Sequence, residues 1–293
     1  MDAQSLVDAV ALGSLYALVA VGVALVFGVL RIVNFAHGEL ITAGAYALVL
    51  TDEHGSLVAI VACFAVVIAL ALLMDVALRP LRGYGPATIL VATFGMSFLL
   101  QSIALLAFGA QGNNVSVLPQ LNRAAHIGGL EVRWVSIVSI AVTVGLLAVT
   151  GAVLNRTSIG LQMRAAATDF RAARILGIRT NVVISLAFVI GAVMAACVSV
   201  LLAVQTPFVY PTFGANILIP ALIGVVVGGL DRLATATLGA FAIGFATSEL
   251  GDVLNSAHRV YLDSYVFVLV IVVLLVRPEG LFAPFRRRTV ERV

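Results

Sequence analysis

Two stretches of this chain hold side chains whose types could do chemical work. The first is Asn34-Phe35-Ala36-His37-Gly38-Glu39, which places an amide, an imidazole and a carboxylate between two apolar runs. Such a set could act as general acid and base or line a polar path; a proton relay is not expected, since no carboxylate series runs along a span. The second runs from Asn155 to Thr180 and carries Arg156, Arg164, Arg171, Arg174 and Arg179 against a single acid, Asp169. Guanidinium groups at that density suit charge-assisted bonds to carboxylates on a partner.

Other chemistries are excluded by what is missing. All 17 basic residues are arginine. Without lysine there is no phosphate-loop ATPase site and no Schiff-base catalysis. Cys63 and Cys197 both lie inside apolar runs, with neither disulfide-framework nor metal-ligand spacing, and read as small packing residues. His37, His54, His126 and His258 are scattered over separate loops, and no His-Glu-x-x-His or Gly-x-Ser-x-Gly motif occurs. Asp75 precedes Arg79 by four residues at the end of an apolar run, the spacing of a helical ion pair. A membrane-embedded enzyme built on His37 or Glu39 stands as a rival reading, as does a stand-alone secondary carrier or channel.

The elements that must position these residues are membrane helices. The chain is 62% hydrophobic and 11% charged, with a mean hydropathy of +1.14. Several runs approach or exceed the ~20 residues that cross a bilayer. They are continuously apolar rather than alternating, which excludes a β-barrel. The fold class is all-α: a polytopic transmembrane bundle of about 8–9 membrane segments, treated as a single domain over 1–293. The segments fall near 6–30, 40–50, 57–78, 87–108, 134–154, 182–204, 216–229, 234–250 and 261–276. Two of them are short, Leu40–Leu50 and the Pro220-containing segment from Asn216 to Gly229, and broken apolar segments point to the functional region of a transporter. Trp134 opens its segment where the membrane interface suits it. The first 30 residues have no basic stretch, so no cleavable signal peptide is expected.

Arginine placement orients the bundle. With nine segments and the N-terminus outside, every arginine except Arg123, Arg133 and Arg259 faces the cytoplasm, as does the C-terminal tail 277–293. Arg164 to Leu176 is rich in good helix formers and free of Gly and Pro until Gly177, so it predicts a short basic helix on the cytoplasmic face. Asn34, His37 and Glu39 read either as the lining of a translocation path or as groups that satisfy the backbone where a helix breaks. Gly191, Ala195, Ser199 and Ala203, and likewise Ala236, Ala240, Gly244 and Ser248, form stripes for close helix packing. Arg286, Arg287, Arg288 and Arg292 suit anionic membrane lipids. Nothing suggests a nucleic-acid partner.

With these motifs in hand, the chain resembles the permease subunits of bacterial ABC importers for branched-chain amino acids. Its carriers are Leu30 to Leu40, Arg79 to Gly95, Gly160 to Ile178, and the closing Arg277-Pro278-Glu279-Gly280-Leu281-Phe282. The resemblance implies a cytoplasmic coupling loop over about 155–180 that docks on a separate ATPase, with Arg164, Asp169, Arg171, Ala172, Ala173, Arg174 and Gly177 as its docking residues. Ala172-Ala173-Arg174-Ile175-Leu176-Gly177 fits the family's coupling pattern, with Arg171 where that pattern has Glu; Arg232 stands where a small residue is expected. It further implies a second, LivM-like permease chain, two cytoplasmic ABC ATPase subunits and a periplasmic or lipid-anchored substrate-binding protein. ATP and Mg would be bound by those partners, and this chain would hold no cofactor. Location in the bacterial inner membrane follows, with the solute a branched-chain amino acid or, within the same family, urea, a short amide or another small organic acid.

Overall fold

The computed structural model describes residues 3–31, 33–127, 130–229, 232–255, 258–277 and 281–282. Hydrocarbon offers no partner to a bare peptide group, so each apolar run closes its backbone hydrogen bonds within itself as a helix. The helices are α1 (Ala3–Leu30), α2 (His37–Thr51), α3 (Ser56–Leu78), α4 (Pro86–Phe108), α5 (Trp134–Arg156), α6 (Ser158–Thr168), α7 (Phe170–Ile175), α8 (Thr180–Gln205), α9 (Phe213–Gly228), α10 (Leu233–Val253) and α11 (Leu262–Val276). Four short strands lie in the connections: β1 (Asn113–Asn114), β2 (Ala124–Ile127), β3 (Leu130–Arg133) and β4 (Phe208–Val209). Strand β1 pairs antiparallel with β4, and β2 with β3 as a hairpin. Among the described residues, seven helices are long and apolar enough to cross a membrane: α1, α3, α4, α5, α8, α10, and α11 with the turn before it. The two short segments expected from the sequence are α2, of 15 residues, and α9, of 16 residues with Pro220 inside it.

Polar contacts sort the loops into two ends. At one end Asp52 accepts a bond from the Ser116 amide, β1 meets β4, and the Ser136 hydroxyl donates to Asp8 at 3.2 Å. At the other, Arg31 reaches the Ala167 carbonyl at 3.2 Å, Arg82 reaches the Asn181 side chain at 3.1 Å, and the Leu281 amide bonds the Val227 carbonyl at 2.8 Å. This second end collects most of the arginines.

The packing repeats itself upside down. Helix α1 packs on α10 as α8 packs on α3; α1 packs on α9 as α8 packs on α2; and α2 packs on α3 as α9 packs on α10. So α1–α4 and α8–α11 are two copies of one arrangement, with matching helices running in opposite directions. The two short helices meet head to head at the centre of this inverted pair. A Cβ on Gly214 would overlap the Gly38 carbonyl oxygen, and the Gly214 amide donates to the Thr42 hydroxyl at 3.0 Å. Only glycine permits that approach. The core sits around α1 and α8, whereas α4, α5 and α11 are peripheral.

The Asp75–Arg79 pair forms as the spacing predicts, at 3.0 Å, and it is part of something larger. Asp75 is fully buried and also takes bonds from Arg82 and from Ser185 Oγ at 2.6 Å. Arg79 donates to Ser185 in turn, at 3.2 Å. This network ties the end of α3 to the start of α8 at the arginine-rich end.

Two outcomes are expected from thermal unfolding of the purified chain. Gly214→Val should destabilise it by about 1–3 kcal/mol through overpacking against Gly38. Asp75→Asn leaves two guanidinium groups facing an uncharged amide and should cost about 3 kcal/mol. An unchanged midpoint in either variant would contradict the packing described.

Candidate functional site

The polar motif at the start of α2 does not act as one cluster. Asn34 is buried and holds the turn into α2: its Oδ1 accepts from the Ala36 amide at 3.1 Å, and its carbonyl accepts from the His37 amide at 3.3 Å. His37 points into the crossing of α1 and α8. A Cβ on Gly22 would stand 2.7 Å from its Nε2, and one on Gly191 3.4 Å from its Cε1, so the ring is wedged between two glycines. Glu39 faces the other way, toward α4. Its carboxylate accepts from Ser97 Oγ at 2.9 Å and from Gln101 Nε2 at 2.7 Å.

Glu39 also opens onto a cavity of about 220 Å³ between α2, α3 and α4. The walls include Val66, Leu70, Leu100 and Ile103, and the polar groups are Glu39, Thr42 and Tyr46. The Tyr46 hydroxyl is buried without a hydrogen-bond partner among the described residues, while its ring stacks on Phe108 with centroids 3.9 Å apart. A buried carboxylate, a hydroxyl with unmet bonding capacity and apolar walls suit a small ligand with a polar head and an apolar body. Ser97, Gln101 and Tyr46 were not singled out by the sequence. Their spacing within their own helices is unremarkable, and only tertiary packing brings them to Glu39.

The basic segment is two helices rather than one. Asp169 interrupts it with extended backbone (φ −149°, ψ 109°), separating α6 from α7. Its side chain is the reason: Asp169 Oδ1 accepts from the Ala172 amide at 2.9 Å and so caps a new helix start. At the start of α6 Thr157 does the same for the Gly160 amide, at 3.2 Å. Helix α7 ends as the glycine predicts. Gly177 takes φ +84°, the Ile178 amide bonds the Ala173 carbonyl at 3.1 Å, and the Gly177 amide bonds Arg174 at 3.1 Å.

The side chains of this segment divide between inward and outward roles. Ala173 is buried, anchoring α7 to the bundle, while Ala172 and Arg174 are exposed. Arg164 is spent partly on its own scaffold, donating to the Leu154 carbonyl and to Asn155 Oδ1 at 3.4 Å. The backbone of Arg171 lies in α7, but its side chain is outside the described residues, as are residues 283–293 of the arginine-rich tail. The feature that the arginines obscured is apolar. Ile175 is 85% exposed and Leu176 80% exposed, beyond the ends of the membrane spans.

Comparison with known proteins places this geometry. The family model for the branched-chain amino acid transport system permease component matches residues 5–276. The chain is 33% identical to the high-affinity branched-chain amino acid transport system permease protein BraD of Pseudomonas aeruginosa, over 99% of this chain and 97% of that one. It is equally 33% identical to the permease protein LivH of Salmonella typhimurium, over the same shares. Among solved structures, PsaBC from Streptococcus pneumoniae in complex with Fab aligns over 93% of this chain and 91% of its own, with a TM-score of 0.50 and 16% identity, a likeness of fold alone. A multi-pass helical bundle, matched along almost its whole length, is a membrane permease and not an enzyme: the chain belongs to the branched-chain amino acid transport system permease family.

Proposed function

We propose that the chain forms half of the translocation path of an ATP-driven importer for branched-chain amino acids, working with a second permease chain. Two cytoplasmic ATPases and an external substrate-binding protein complete the machine, and ATP and Mg belong to the ATPases. The N-terminus lies outside and the C-terminus in the cytoplasm, because that orientation puts the arginine-rich end inside. The names of the relatives support the substrate class.

The observation that carries the coupling role is the pair of bare side chains Ile175 and Leu176. Large apolar groups left in water next to exposed Arg174 and Ala172 mark a surface built to be covered. A cationic rim around an apolar centre is what an ATPase groove with acidic edges would grip. Residues Arg164, Asp169 and Gly177 shape the segment, Ala173 anchors it, and Ala172 and Arg174 present its face; Arg171 is assigned to the same docking role from the sequence alone. Rocking of one inverted half against the other would then open the path to each side in turn.

Within the path, the ligand-facing group is Glu39, with Ser97, Gln101 and Tyr46 around it. A carboxylate beside apolar walls suits an amino acid's ammonium group and hydrocarbon side chain. Asn34 and His37 act beneath it, holding the start of α2 in place.

Substituting Ala172→Glu together with Ile175→Glu should weaken ATPase association by about 2 kcal/mol, as loss of a central contact does. Uptake should fall with it while the chain still accumulates in the membrane. ATP-driven uptake that persists with the ATPases bound would overturn the coupling role. Replacing Glu39 with Gln preserves the size of the side chain and should cut uptake of leucine about tenfold, the effect of ~1.4 kcal/mol. Uptake at the wild-type rate would remove Glu39 from the path.

A further inference from the structure

A second cavity lies at the arginine-rich end and shares no lining residue with the one beside Glu39. It encloses about 730 Å³ between α1, α5, α6 and α10, within the range of about 300–1,000 Å³ usual for ligand sites. Its origin is a gap. Helices α5 and α10 both pack closely on α1 but make little contact with each other, so α1 forms the floor of a cleft that opens sideways between them. From Val21 to Val29 along α1 the floor runs on the order of 12 Å at 1.5 Å per residue, about the depth of one bilayer leaflet.

The cleft is chemically graded along that depth. Its inner walls are apolar, with Val21, Leu25, Leu147 and Leu238. Two guanidinium groups, Arg164 and Arg232, stand among its lining residues next to Asn155, and no carboxylate lines it among the described residues. Both arginines belong to the end where the polypeptide leaves the membrane: Arg164 within α6, and Arg232 just before α10. The Arg232 guanidinium has no hydrogen-bond or ion-pair partner among the described residues, whereas that of Arg164 is only partly satisfied by Leu154 and Asn155. The space is real: a Cβ on Gly28 or on Gly151, both in the lining, would meet nothing within 4 Å.

We infer that this cleft binds one anionic phospholipid of the cytoplasmic leaflet, its phosphodiester between Arg164 and Arg232 and an acyl chain along α1. Basic pockets between membrane helices at the cytoplasmic side select acidic headgroups in this way. The chain's own tail is a poor occupant, because Arg286, Arg287, Arg288 and Arg292 would bring like charge to the two arginines. The site is independent of which solute is carried. It requires only that the arginine-rich end faces the cytoplasm.

The test is native mass spectrometry of the full-length chain, purified in detergent with the subunits that accompany it and titrated with dioleoyl phosphatidylglycerol, dioleoyl phosphatidylcholine or inorganic phosphate. One phosphatidylglycerol should bind the wild type in preference to phosphatidylcholine, and inorganic phosphate should not displace it. Arg232→Gln should weaken that binding about fivefold. Gly151→Leu adds bulk on the opposite wall, where a Cβ meets nothing within 4 Å, and should abolish it. Equal binding of the two lipids overturns the inference, as does wild-type binding in both variants. Displacement by inorganic phosphate overturns it too, and makes the arginines a free-anion site instead.

Discussion

The whole bundle depends on a backbone problem solved at its centre. Where α1 ends, the chain turns back into the protein and α2 starts inside it; where α8 ends, α9 does the same from the opposite side. Helix starts leave amide groups without partners, a severe cost away from water. Here the two starts lie against each other, and Thr42 takes the Gly214 amide directly. Glycine at 38 and 214 lets the backbones approach, and the packed glycines at 22 and 191 leave room for the His37 ring beside them. Asn34 Oδ1 and Glu39 are held by backbone and by neighbouring side chains, whereas Asn34 Nδ2 and His37 Nε2 are buried with no hydrogen-bond partner among the described residues.

From that centre the molecule grades outward in burial. Helices α1 and α8 are enclosed, α3 is locked to α8 through Asp75, Arg79, Arg82 and Ser185, and α4, α5 and α11 are peripheral. The cavity beside Glu39 lies between the enclosed helix α2 and peripheral α4. The basic segment rests on both inner and outer elements, since α6 touches α5, α8 and α1 while α7 touches α8. Helix α7 therefore rests directly on a core helix.

The membrane segments were legible because hydropathy is a local property. Each apolar run corresponds to a helix, with boundaries that differ by a few residues, and Pro220 sits inside α9 without ending it. Asp75 and Arg79 were readable for the same reason, being one helical turn apart. What could not be read depends on residues far apart in sequence. Arg82 and Ser185 joining Asp75, Ser97 and Gln101 joining Glu39, and Gly38 meeting Gly214 all arise from tertiary packing. The division at Asp169 is a different kind of miss: helix propensity favoured one continuous helix, but a capping carboxylate gave the backbone a better local alternative. Composition also hid Ile175 and Leu176, whose exposure shows only once the turn at Gly177 is in place.

Helix α5 has a consequence out of proportion to its modest packing. Counting the short α2 with the turn before it as one passage beside α1, α3 and α4, the unit α1–α4 begins and ends at the same end of the bundle. Two such units fused head to tail would point the same way. The single extra crossing of α5 delivers the chain to the far side, so the second unit is threaded upside down relative to the first. One odd helix thus acts as a parity switch: excise it, and α8 to α11 would have to insert the other way up, separating α9 from α2 and leaving both helix starts bare.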